Sequence, residues 1–203
     1  MNDKIIINKR EGRAFPLQDR MDKKKDYPVR KPTRLKEYDY SSNGYYFITL
    51  CVDNHKIVFG DVENEKVSLN NYGKEVKKIL LSLSERYKSI EIDYYVIMPN
   101  HIHCIFILDN GTDKKISISN VIGAFKSLTT ISLHKLGLVD FKWQRSFYDR
   151  IIRDEKELFN IRQYIDQNPL RWDIEKNNPD NLELKNCRDR ACPVRRNQNN
   201  GRG

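Results

Sequence analysis

The chain has 203 residues, 37 of them Lys or Arg and 28 Asp or Glu, for a formal net charge of +9. Apolar residues make up 38% and charged residues 32%, which suits one modest core and excludes two. No apolar run approaches the roughly 20 residues that span a bilayer, and the opening MNDKIIINKREG lacks the apolar block of a secretory signal, so a cytoplasmic protein is expected.

Residues 1–32 are polar and broken by Pro16, Pro28 and Pro32, which reads as an extended basic arm. Tyr45–Val52 (YYFITLCV) follows Asn43-Gly44 and is rich in aromatic and β-branched residues, the pattern of a strand after a turn. Val58–Phe59 and Val67–Leu69 read as short strand pieces flanking a turn over 60–66. Tyr72, Val76, Ile79, Leu80, Leu83 and Tyr87 recur at helical spacing and predict an amphipathic helix. Ile90–Met98 is a strand, Pro99-Asn100 interrupts it, and His101–Leu108 (HIHCIFIL) is a second strand ended by the turn signal Asp109-Asn110-Gly111.

Ser117 or Ser119 caps a further helix that runs to about His134, with Val121, Phe125 and Leu128 inward and Gly137 just beyond. Gln144–Arg153 (QRSFYDRIIR) reads as extended. Asp154 caps a last helix through about Gln167, with Leu158, Ile161 and Ile165 inward and Pro169 as its stop. The order β-α-β-β-α-β-α begins with the split βαβ pattern. The expected class is α+β: a ferredoxin-like antiparallel sheet with helices packed on it and an extra C-terminal helix, spanning 33–182.

The positive charge is unevenly spread. Residues 1–37 carry a net +6, residues 183–203 a net +4, and residues 38–182 a net −1. Basic ends on a near-neutral domain suit a polyanion partner, because each neutralised phosphate releases counterions; charged tails that merely keep a protein soluble are the alternative. Residues 183–203 hold almost no core-forming side chains and are expected to be a disordered basic tail. Of the four cysteines, Cys51 and Cys104 fall in predicted strands. Cys187 and Cys192, separated by four residues, have no second pair, so neither a disulfide framework nor a structural zinc site is expected.

Two constellations carry possible chemistry. His101 and His103 are two apart in a strand, so both imidazoles leave the same face while Ile102 points the other way. Two neutral imidazoles side by side can share a divalent ion; two unrelated histidines on a half-polar face is the plainer reading. Tyr164 and Asn168 are four apart near the end of the last helix and share a face. A positioned tyrosine can act as a nucleophile and an asparagine oxygen can ligate a hard cation. A core tyrosine beside a helix-stopping Asn-Pro is the ordinary alternative.

Together, Val96-Ile97-Met98-Pro99-Asn100-His101-Ile102-His103 and Tyr164-Ile165-Asp166-Gln167-Asn168-Pro169 resemble the motifs of the IS200-like single-tyrosine (Y1) transposases, of the repeat-associated tyrosine transposase type, within the His-hydrophobe-His (HUH) single-strand DNA endonucleases. Arg34-Leu35, Tyr38-Asp39-Tyr40, Tyr46-Phe47-Ile48-Thr49, Phe125-Lys126-Ser127, Trp143-Gln144-Arg145, Phe147-Tyr148 and Ile151-Ile152-Arg153-Asp154 extend the similarity over about 33–174. The resemblance implies that His101, His103 and Asn168 hold a divalent metal, Mn²⁺ or Mg²⁺, and that Tyr164 is the nucleophile. The implied activity is cleavage and rejoining of single-stranded DNA with hairpin structure through a 5′-phosphotyrosine, at the nucleoid. Mn²⁺ suits imidazole better than Mg²⁺ does.

Lys126, Arg145, Arg150 and Arg153 lie in matching segments and are candidate DNA contacts, or simple surface charges. Tyr40, Tyr45, Trp143 and Tyr148 are candidates to stack on unpaired bases, with core packing as the alternative for Trp143 and Tyr148. A monomer is favoured, with a homodimer also open. A non-catalytic single-strand-binding module on the same fold is the competing reading, although the RNP1 pattern is missing. A zinc deaminase is excluded because it needs H-x-E with P-C-x-x-C. A replication initiator with the same metal motif usually carries further domains, for which this length leaves no room.

Overall fold

The structure is a computed structural model that describes residues 38–111 and 115–177. The expected arm over 1–32, the expected tail over 183–203, Cys187 and Cys192 lie outside the described residues. The elements are β1 (Gly44–Cys51), β2 (Gly60–Glu63), β3 (Lys66–Leu69), α1 (Asn71–Arg86), β4 (Ile90–Ile97), β5 (His101–Leu108), α2 (Ile118–Lys135), β6 (Tyr148–Ile152), α3 (Glu155–Asp166) and α4 (Asn168–Asn177). Among the described residues no helix is long and apolar enough to cross a membrane, and Cys51 and Cys104 are free thiols.

Four strands form one antiparallel sheet in the order β4-β5-β1-β6. The strands joined through α1 (β1 and β4) and those joined through α2 (β5 and β6) each enclose one strand between them. That is the doubled split βαβ arrangement of a ferredoxin-like fold, as the element order predicts.

Strand alternation then decides which side chains meet. Tyr46, Ile48 and Leu50 of β1 and Ile102, Cys104 and Phe106 of β5 face α1 and α2, where Val76, Leu80, Leu83, Val121, Ile122 and Phe125 complete the main core. The other face carries Phe47, Ile105 and Ile152, closed by Leu158, Ile161, Tyr164 and Ile165 of α3. The sheet is thus buried on both faces, and α3 lies on the face to which His101 and His103 belong.

The helix starts follow from their caps. Asn70 Oδ1 accepts from Gly73 N at 3.0 Å, Ser117 Oγ from Asn120 N at 3.3 Å, and Asp154 Oδ1 from Glu157 N at 2.8 Å. Ser117, rather than Ser119, is therefore the cap of α2. The chain at Gly137 adopts φ +93, and its N–H closes the helix end on His134 O at 3.0 Å.

Three expectations need correction. The hairpin strands occupy 60–63 and 66–69, and only Asn64 and Glu65, at φ 51 and 62, make the turn. On α2 the inward position belongs to Thr129, not Leu128; its hydroxyl donates to Phe125 O and accepts from the Trp143 indole at 2.8 Å. Pro169 does not end the helical region. It stands just inside α4, where its fixed φ and missing N–H cost nothing.

Candidate active site

β5 and the α3–α4 junction meet over one face of the sheet. His103 is buried and His101 half-buried, with ring centroids 4.6 Å apart. Register sets their surroundings. Thr49 lies opposite His103 on β1, and its Oγ1 is 2.8 Å from His103 Nδ1. Asn100 Nδ2 donates to His55 O at 3.1 Å, which leaves Asn100 Oδ1 to accept from His101 Nδ1–H at 2.6 Å. His101 therefore keeps its lone pair on Nε2. Fixing one ring nitrogen by a hydrogen bond so that the other is free is how ligating histidines are oriented.

Burial holds both imidazoles neutral. It pulls His101 down to about 4, against the opposing effect of a hydrogen bond with Asn168. It pulls His103 well below its usual range, helped by the neighbouring His101 and opposed by Asn168. The neutral ring is the form that binds metals. Asn168, itself buried, thus reaches both rings from the first residue of α4. Among the described residues no three His, Cys, Asp or Glu side chains cluster as a metal site. Two imidazoles and one amide oxygen would form the donor set for a divalent ion such as Mn²⁺.

Tyr164 is buried on α3, one turn before Asn168. Its hydroxyl is 3.4 Å from His103 Nε2. Its ring packs edge-on against Phe47 at 6.0 Å and against His103 at 5.2 Å. The Arg171 guanidinium lies 5.5 Å from the same ring centroid, and the Trp172 ring 5.9 Å from that of His101. His101, His103, Tyr164 and Asn168, named from two separate motifs, are therefore brought together.

The four basic candidates differ in where they stand. Lys126 Nζ donates to the carbonyls of Gln144 at 2.7 Å and Ser146 at 3.0 Å, which ties α2 to the segment before β6. Arg150 stands opposite Phe47 on β6, on the histidine face, and pairs with Glu157. Arg145 and Arg153 are exposed. Trp143 is a core residue packed among Phe59, Phe125 and Phe141. Tyr40 packs on the main core, while Tyr45 and Tyr148 are half-buried on the histidine face. Sequence reasoning missed Thr49, Asn100, Arg171 and Trp172. Asn100 stands beside His101 in the chain, but Thr49 becomes visible only once strand register is known.

The fold and this cluster define an α+β protein with a histidine pair and a tyrosine on one sheet face, and the comparisons give its family. The family described as "Transposase IS200 like" matches residues 41–168, and the chain belongs to that family. An uncharacterised protein of Haemophilus influenzae is 34% identical, over 71% of this chain and 90% of its own length. The REP-associated tyrosine transposase of Escherichia coli is 30% identical over 43% of this chain and 48% of its own. A solved structure of a REP-associated tyrosine transposase bound to a REP hairpin superposes with a TM-score of 0.51 at 25% identity, covering 68% of this chain and 74% of that one.

Proposed function

We propose that this member of the family cuts and rejoins single-stranded DNA beside a hairpin, with Tyr164 as nucleophile. The observation that carries this reading is the approach of the Tyr164 hydroxyl to 3.4 Å from His103 Nε2, with Asn168 in reach of both imidazoles. A nucleophile, two neutral nitrogen donors and an amide from one chain converge there. All four come from one chain, which supports action by a monomer in cis, with a homodimer as the other arrangement. Hairpin DNA as the partner is supported by the hairpin-bound relative.

His101, His103 and Asn168 would hold a divalent ion, Mn²⁺ or Mg²⁺, whose charge offsets that of the phosphate. Packing against Phe47 and His103 holds the Tyr164 ring so that its hydroxyl has one position. Tyr164 Oη bonds to phosphorus as the P–O3′ bond breaks. The phenol proton passes through solvent to the departing 3′ oxygen. The products are a 5′-phosphotyrosine and a free 3′-OH, and attack by another 3′-OH reverses the step. No nucleotide cofactor is needed, since one phosphoester replaces another.

The test is incubation of the purified chain with single-stranded DNA from both flanks of its own gene, with Mn²⁺ or Mg²⁺. An adduct stable in SDS is expected, lost with EDTA and in Tyr164→Phe. Tight hairpin binding without any adduct would instead mark a binding module on this fold.

A further inference from the structure

We propose that Arg171 is the side chain that grips the phosphate presented to Tyr164. This deepens the reading above and rests on it. Tyr164, Asn168 and Arg171 stand at i, i+4 and i+7. Helical geometry holds across the α3–α4 junction: Gln167 has helical angles, φ −80 and ψ −4, and Arg171 N donates to Gln167 O at 3.0 Å. The three side chains therefore share one face. That face turns toward the histidines, and it places the Arg171 guanidinium 5.5 Å from the Tyr164 ring centroid.

The other cations near the nucleophile are already engaged. Arg162 forks onto Asp93 through Nε and Nη2, and Arg150 is held by Glu157. Nearby carboxylates are also taken: Asp166 accepts from the Tyr94 hydroxyl, and Asp173 Oδ2 accepts from Glu65 N at 3.2 Å. Arg171 is exposed, and no carboxylate of the described residues pairs with it. A planar guanidinium over the ring that carries the nucleophilic oxygen is suited to two parallel hydrogen bonds with a phosphodiester. The arginine thus supplies charge and orientation where a negatively charged phosphate must approach an oxygen that becomes negative.

The experiment uses the full chain and two variants. Arg171→Met keeps the packing on Tyr164 and removes the charge, whereas Arg171→Lys keeps the charge. The rate of adduct formation at saturating single-stranded DNA should fall about 100-fold in the Met variant. The Lys variant should recover about 10-fold of that loss. Hairpin Kd should change less than about 3-fold, since the loss belongs to the reacting phosphate.

A Met variant that forms adduct at the wild-type rate would overturn the proposal, as would equal losses in Met and Lys. A second measurement stands apart from cleavage. In the ¹⁵N-labelled wild type, the Arg171 Nε–Hε resonance, assigned by its loss in Arg171→Lys, is followed as inorganic phosphate is added. A saturable shift absent with chloride at equal ionic strength is expected, and no shift overturns the assignment. Failure of the wild type to form any adduct would remove the phosphotyrosine reading, and the phosphate titration would then decide Arg171 by itself.

Discussion

Thr49 and Asn100 do for the histidines what sequence spacing does not reveal. The HxH pattern shows that two imidazoles share a face, but it does not show which nitrogen of each is free. Thr49→Val keeps the shape and removes the oxygen bonded to His103 Nδ1. Mn²⁺ binding measured by calorimetry should weaken about 10- to 100-fold, with the fold intact by circular dichroism; unchanged affinity would show that His103 needs no such partner. Acid stability belongs to the same scale. The folded His101 titrates near 4 against an ordinary 6.5, so between those values the unfolded chain binds more protons than the folded one. The metal-free chain should therefore lose stability as pH falls from about 6.5 toward 4. Urea midpoints at several pH values check this, and the fall should be shallower in His101→Asn. Equal slopes would mean that burial of this ring does not set the acid limit.

At the scale of elements, two polar ties flank the nucleophile and fix α3 on the sheet edge. Arg162 forks onto Asp93 two residues before Tyr164, and Tyr94 donates to Asp166 two residues after it. Asp93 reaches its partner because the β4–β5 ladder shifts register between Ile92 and Tyr94. Arg162→Ala should cost only about 1 kcal/mol in chemical denaturation, as a part-exposed pair. It should slow adduct formation by more than that energy would suggest, because Tyr164 loses its fixed position.

Gly73 gives a second prediction at this scale. Alanine normally favours a helix by about 1 kcal/mol, but a Cβ here would stand 2.1 Å from Phe59 O. Gly73→Ala should destabilise by about 2 kcal/mol in urea titration; a gain would show that the α1–Phe59 contact yields.

The main strands were legible as aromatic and β-branched apolar runs bounded by turn signals, and α1 to α3 because one face of each is apolar at helical spacing. Of the β2–β3 hairpin only Val67–Leu69 was, because Gly60–Glu63 carries one apolar residue and the turn uses Glu65 at positive φ, where no Gly announces it. α4 was hidden because Pro169 signals a stop as readily as a start. With it went Arg171 and Trp172, although Tyr164, Asn168 and both histidines were readable from spacing and resemblance.

For the whole molecule, the charge lies mainly in the end segments, with a net −1 over 38–182. Each phosphate neutralised by an end segment should steepen the salt dependence of DNA binding. Deleting 183–203, which carries a net +4, should weaken hairpin binding and flatten the slope of log Kd against log salt. An unchanged slope would mean that this tail does not touch DNA.

The measurement that bears most directly on the function is the chemical identity of the covalent link. The adduct is digested with nuclease and trypsin, and the peptide spanning 163–171, which contains Tyr164 as its one tyrosine, is sequenced by mass spectrometry. The expected result is a nucleotide joined through its 5′ phosphate to Tyr164. A link through any other residue, or through a 3′ phosphate, would contradict Tyr164 as the nucleophile that conserves the DNA bond.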